Sequence, residues 1–130
     1  MRRDLLLLRE MIHAASRIRE VIGDLDADDL GADALRRDAV LWNYTVLGEA
    51  SSQVSGELKE THPGVGWAQP TRLRNRIVHG YWATDLHILH DTASEDLPKM
   101  IDQLHDVLAG LDAPRDNGED DDRTGRVTQG

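Results

Sequence analysis

The residues best equipped for chemistry stand together in Arg74-Asn75-Arg76-Ile77-Val78-His79-Gly80-Tyr81. This short stretch gathers fixed cations, an amide, an imidazole and a phenol. An imidazole titrates near neutral pH and moves protons, and a guanidinium holds the charge that collects on a phosphate under attack. Cleavage of RNA by its own 2′-hydroxyl needs those groups: a base for the hydroxyl, an acid for the leaving 5′-oxygen, and fixed positive charge for the phosphorane between them. No metal or cofactor enters that scheme. One motif carries one histidine, so a homodimer that faces two motifs across a cleft would supply base and acid together.

On an ideal helix Asn75 and His79 share a face at i and i+4, whereas Arg74 lies about 140° away from His79. The arginine must reach round, or the helix must loosen near Gly80. A plain structural reading stands beside the catalytic one: Arg74 pairs with a carboxylate and His79 only ends the helix. Other chemistry-bearing residues form weaker groups. His87, His90 and Asp91 have i, i+3, i+4 spacing but no second Glu-x2-His to complete a metal site, which favours a solvated helical face. His13, His62 and His105 are isolated. Trp42, Tyr44, Trp67 and Trp82 can stack on bases, yet aromatic residues in a bundle more often serve core or interface. There is no nucleophile elbow and no Gly-rich phosphate loop.

The chain has 130 residues and no cysteine, which excludes a disulfide frame, a thiolate metal site and a cysteine nucleophile. Its length fits one domain with a single core. Net charge is -9, from 24 Asp plus Glu against 15 Lys plus Arg, and this opposes nucleic-acid binding by bulk electrostatics. The local distribution is different: Gly66 to Trp82 holds Arg72, Arg74 and Arg76 with no acidic residue, a local site for RNA phosphate on an acidic body. Leu5-Leu6-Leu7-Leu8 follows two arginines but is broken by Arg9-Glu10, and no run reaches membrane-spanning length. The expectation is a soluble cytoplasmic protein with no membrane association.

The elements that must position the motif read as helices. Leu5, Leu8, Ile12, Ala15, Arg19 and Ile22 mark one face of a first helix from about Asp4 to Ile22, stopped by Gly23. Asp24 to Asp33 is a loop with one short turn around Leu30. A second helix is expected from Asp33, its N-cap, to Lys59, with Leu35, Ala39, Val46, Ala50 and Val54 inward. A third begins near Trp67 to Pro70 and runs to His79, with Gly80 as its stop. A fourth helical region covers Asp85 to Leu111, kinked or split by Pro98. The expected fold is all-α, an antiparallel four-helix bundle over residues 1–111, followed by a disordered acidic tail over residues 112–130.

The order and wording of the chain resemble the HEPN superfamily and, within it, the HepT-like ribonuclease toxins of prokaryotic toxin–antitoxin pairs. The resemblance rests on Asp38-Ala39-Val40, Asn43, Val46-Leu47-Gly48-Glu49-Ala50, His62-Pro63, Trp67, the Arg74 to Tyr81 stretch, Asp85-Leu86 and Asp96-Leu97-Pro98, spanning about Asp4 to Leu111. It implies a HEPN-type bundle that dimerises around two Arg-x4-His motifs and cleaves RNA without a metal, leaving cyclic phosphate or 3′-phosphate ends. Carried over by position, Arg74 and His79 are catalytic and Asn75 orients them, while Arg72 and Arg76 are expected to contact RNA phosphates. Tyr81 matches the tyrosine to which a nucleotidyltransferase antitoxin attaches AMP. Trp42 and Thr45 depart from the pattern, standing where the family often has an arginine and a glutamate. The rival readings are a non-catalytic HEPN module that binds a nucleotidyltransferase or nucleic acid, and a purely structural helical dimer.

Overall fold

The computed structural model describes residues 2–80 and 82–112. Tyr81 and the tail expected beyond Asp112 lie outside the described residues. Seven helices follow one another: α1 (Arg2–Ile22), α2 (Ala27–Ala32), α3 (Ala34–Gln53), α4 (Gly56–Thr61), α5 (Ala68–Val78), α6 (Trp82–Glu95) and α7 (Leu97–Asp112). Among the described residues there is no strand, and no helix is long and apolar enough to cross a membrane. The all-α class expected from periodicity therefore holds: the four expected helical regions are divided into six helices, and the expected loop between the first two holds a seventh, α2.

α1 is the central helix, packed against both α3 and α7. Its buried residues are Leu7, Leu8, Met11, Ala14, Ala15, Ile18 and Ile22. Two neighbours widen the buried arc and centre it on Met11 and Ile18, so Arg19 of the expected stripe is exposed. Gly23 ends α1 at φ 51, a conformation that a Cβ would strain. The turn anticipated near Leu30 is α2, capped by the Asp26 carboxylate, which accepts from the Asp29 N–H at 2.8 Å. Asp33 caps α3 as expected, accepting from the Arg36 N–H at 3.1 Å.

The expected second helix to Lys59 is two helices. α3 stops at Gln53, and Ser55 caps α4 through its Oγ, which accepts from the Leu58 N–H at 3.2 Å. The break is held from far away in sequence. The buried Asp4 carboxylate accepts from the Ser55 N–H at 2.9 Å and from its hydroxyl at 2.6 Å, so the joint between the helices leaves neither donor wanting. The inward face of α3 also differs from the one expected. Val40, Tyr44, Leu47, Ala50 and Ser51 are buried, whereas Leu35, in the first turn, is exposed at an open surface pocket that it shares with Arg17, Glu20 and Val21 of α1. The Tyr44 hydroxyl donates to the Leu89 carbonyl at 2.6 Å and ties α3 to α6. Pro98 splits the last helical region: α6 and α7 meet at Asp96, and Pro98 sits in the first turn of α7, where it removes no helical hydrogen bond.

Candidate active site

α5 carries the motif, and α3 carries α5. The two helices run antiparallel: the Ser51 hydroxyl donates to the Trp67 carbonyl at 2.6 Å, and the Thr71 hydroxyl donates to the Gly48 carbonyl at 3.2 Å. Gly48 is the point of closest approach. A Cβ built there would lie 2.3 Å from the Arg74 Cβ and 2.5 Å from the Pro70 carbonyl oxygen, so any larger residue would push the helices apart. The Arg74 side chain thus starts at the helix crossing and leaves it towards the surface.

Two groups receive it. One Nη1 of Arg74 forms an ion pair with Glu49, the residue after Gly48, and Nε donates to the Asn75 side-chain oxygen at 2.9 Å. These bonds fix the plane of the guanidinium while the rest of its N–H fork is available to an anion. His79 follows as the C-terminal cap of α5. Its N–H bonds to the Asn75 carbonyl at 3.0 Å, its backbone sits at φ -83 and ψ 5, and its side chain is exposed. Gly80 then reverses the chain at φ 83, the left-handed turn that ends the helix. Asn75 is therefore bonded to Arg74 through its side chain and to His79 through its backbone. Both parts of the plain structural reading are present too: Arg74 meets a carboxylate and His79 ends a helix.

Arg76 points away from this pair. Its Nε bonds to Asp85 Oδ2 and its Nη2 to Oδ1 at 3.1 Å, a two-pronged grip on the first turn of α6. The Asp85 carboxyl is held below the usual carboxylate range by the hydrogen bond from Arg76, with the charge of the guanidinium adding to it and desolvation opposing it. Arg72 is exposed one turn from the crossing. Tyr81, the expected modification site, lies outside the described residues. Sequence reasoning missed the two carboxylates: Glu49 and Asp85 were noticed only as part of the family wording, and acidic residues 25 and 9 positions from their arginines give no local signal.

The alternative groups are engaged elsewhere. His90 Nε2 lies 2.7 Å from the Leu25 carbonyl, and His87 Nε2 lies 3.4 Å from Asp28 Oδ1, so both tie α6 to α2 and the loop before it. Among the described residues no group of three or more His, Cys, Asp or Glu side chains could hold a metal ion. Tyr44 and Trp67 are core residues, with Trp67 Nε1 donating to the His62 carbonyl at 2.9 Å, whereas Trp42 is exposed. The Thr45 hydroxyl donates to the Leu41 carbonyl at 2.9 Å and is used within its own helix.

The site thus sits on an all-α bundle, with Arg74 and His79 at the end of α5. A family model described as Ribonuclease HepT-like matches residues 11–107, and the chain belongs to that family. It is 28% identical over 93 residues to a Thermococcus cleftensis protein named "Probable ribonuclease HepT", covering 72% of this chain and 84% of that one. A Methanocaldococcus jannaschii protein, named as a candidate RNase, is 29% identical over 93 residues, 72% of this chain and 85% of its own. A second candidate RNase from the same organism is 22% identical over 110 residues, 85% of this chain and 91% of its own. No solved structure gives a significant match.

Proposed function

We propose that this protein is a metal-independent endoribonuclease in which Arg74 and His79 are catalytic and Asn75 positions them. The observation that carries the reading is Arg74 itself, planted at the α3–α5 crossing and aimed by Glu49 and Asn75, in a chain of the HepT-like ribonuclease family. The Arg74 guanidinium stabilises the phosphorane. One His79 takes the proton of the 2′-hydroxyl, and the His79 of a second copy gives a proton to the leaving 5′-oxygen, which leaves a cyclic phosphate that opens to a 3′-phosphate. The exposed Arg72 draws in neighbouring RNA phosphates.

The second copy has a face to dock on. Trp42 lies seven residues before Glu49, two turns along the same side of α3, and Val78 lies one turn beyond Arg74 on α5. Both are exposed apolar residues beside the polar cluster, and the antiparallel register sets the Trp42 end of α3 alongside the His79 end of α5. A homodimer that covers them would bring two His79 side chains to one cleft. In the cell the protein acts in the cytoplasm as the toxin of a toxin–antitoxin pair, and a cognate nucleotidyltransferase silences it by attaching AMP to Tyr81, two residues from His79. The attached phosphodiester would place negative charge and bulk beside His79 and compete with RNA.

The test is cleavage of labelled RNA by the purified protein in excess chelator, with 2′-deoxy substrate as the control. Metal-independent cutting that needs the 2′-hydroxyl supports the reading; cutting abolished by chelator overturns it. Co-expression with a cognate nucleotidyltransferase should add one AMP to the wild type and none to Tyr81→Phe by intact mass. The Arg74–Glu49 pair also suits a second reading, a non-catalytic HEPN module in which the arginine is structural. Absence of cleavage alongside retained binding to the nucleotidyltransferase would favour it.

A further inference from the structure

Arg76 and Asp85 bracket the turn that carries His79, with α5 ending at Val78, Gly80 reversing the chain at φ 83 and α6 beginning at Trp82. The two ends of this segment are anchored differently. α5 is fixed by Pro70 and Leu73, by the Gly48 crossing at Arg74, and by Ile77, which packs against the core. α6 is fixed by Leu86, which is buried and packs so closely on Gly31 that a Cβ there would lie 2.9 Å from its Cδ2. Between these anchors the Arg76–Asp85 pair joins α5 to α6. Asp85, the residue before Leu86, is buried on the fixed side, and Arg76 reaches it with two N–H groups, Nη2 to Oδ1 at 3.1 Å and Nε to Oδ2. A planar two-pronged bond fixes direction as well as distance, which a single contact does not.

We infer that the Arg76–Asp85 pair is a clamp that positions His79, and that Arg76 serves the active site through Asp85 and not by touching an RNA phosphate. His79 caps the C-terminus of α5, so the direction of its imidazole follows from how the final turn of α5 is held against the first turn of α6. Arg76 sits one turn before it and makes that link. A phosphate could draw Arg76 off Asp85 only by stripping a buried carboxylate of its partner, a cost that a solvated phosphate contact does not repay. Asp85 gains a role that its position in a helix by itself does not suggest. It also lies in the first helical turn, where the α6 dipole favours its charge.

The inference rests on the nuclease reading for its catalytic part, and the experiment separates the two. Wild type, Asp85→Asn, Arg76→Lys and the charge-swapped double variant Arg76→Asp with Asp85→Arg are compared in three ways. Amide hydrogen exchange reads the turn over residues 77–84, imidazole NMR reads His79 against the other histidines, and steady-state cleavage separates kcat from KM. The clamp predicts faster exchange over 77–84 and an altered His79 signal in both single variants, with kcat down about 10-fold or more, KM changed less, and partial recovery in the swap. Arg76→Lys keeps the charge on the exposed partner, so it remains informative where Asp85→Asn folds poorly. Unchanged exchange and His79 signal in Arg76→Lys would overturn the clamp. So would a rise in KM alone, with a shallower salt dependence of RNA binding, which marks a phosphate contact. Exchange and NMR need no cleavage: an inactive wild type would remove the nuclease reading, while these two measurements still decide whether the pair holds the turn.

Discussion

Two arginines two residues apart on α5 make opposite bargains with their carboxylates. In the Arg74–Glu49 pair the cation is the sheltered partner, with side-chain exposures of 20% and 55%. In the Arg76–Asp85 pair the order is reversed, at 52% and 4%. The sheltered member decides which group is held. On the proposed reading an incoming phosphate replaces Glu49, which can swing into water, so the sheltered Arg74 cation keeps a partner throughout. Asp85 cannot be deserted without stranding a buried charge, so Arg76 stays. The proposed function and the clamp together divide equal residue types on one helix between chemistry and scaffolding.

The largest test of this division is removal of the exchangeable cation and its proton carrier. Arg74→Ala and His79→Ala should each lower RNA cleavage by about 10²-fold or more with the helical circular dichroism spectrum kept, because neither side chain fills the core. Full activity in either would place the chemistry elsewhere. Next in size is Gly48→Ala, where the new Cβ meets Arg74 and the Pro70 carbonyl. Urea unfolding should show a loss of about 1–3 kcal/mol as α5 is pushed from α3. A neutral result would mean that the crossing is looser than its geometry implies.

How far the sequence anticipated these partners depends on distance along the chain. Gly23, the Asp33 cap, the span of α5 and its stop at Gly80 were all legible because caps and glycine stops are written within a few residues of the ends they make. The α3–α4 break was not, since it depends on Asp4 meeting Ser55, 51 residues away. Leu35 is inward by period alone, and only the packing of α3 on α1 shows that it stands in an open surface pocket. Arg74, Asn75 and His79 were recognisable as a group, but which arginine would be exchangeable was not, because Glu49 and Asp85 become their partners only through tertiary packing.

A smaller effect separates the pairs by pH. The folded state holds the Asp85 carboxyl below its ordinary value, so the pair's contribution to stability is complete above the unfolded carboxylate range and is lost as pH falls through the lower folded value. The difference in Tm between wild type and Asp85→Asn should be level from pH 5 to 8 and shrink below about pH 4. A difference that grows in acid would mean that Asp85 is neutral in the fold. The smallest expected change is Glu49→Gln, with stability within about 1 kcal/mol of wild type and RNA bound a few-fold, roughly, more tightly at low salt, measured by fluorescence anisotropy. A loss of cleavage greater than about tenfold would reverse the comparison, making Glu49 a part of the aiming device that cannot be exchanged.

The buried hydroxyl that joins α3 to α6 gives the protein an optical property. The chain has two tyrosines and no phenylalanine. Burial lifts the Tyr44 phenol far above its ordinary range, with the nearby Asp96 charge adding to the shift, so Tyr44 ionises in alkali only when the fold opens. An alkaline absorbance scan run beside circular dichroism therefore reads the α3–α6 joint: the Tyr44 phenolate signal should rise with the loss of helix and not before it.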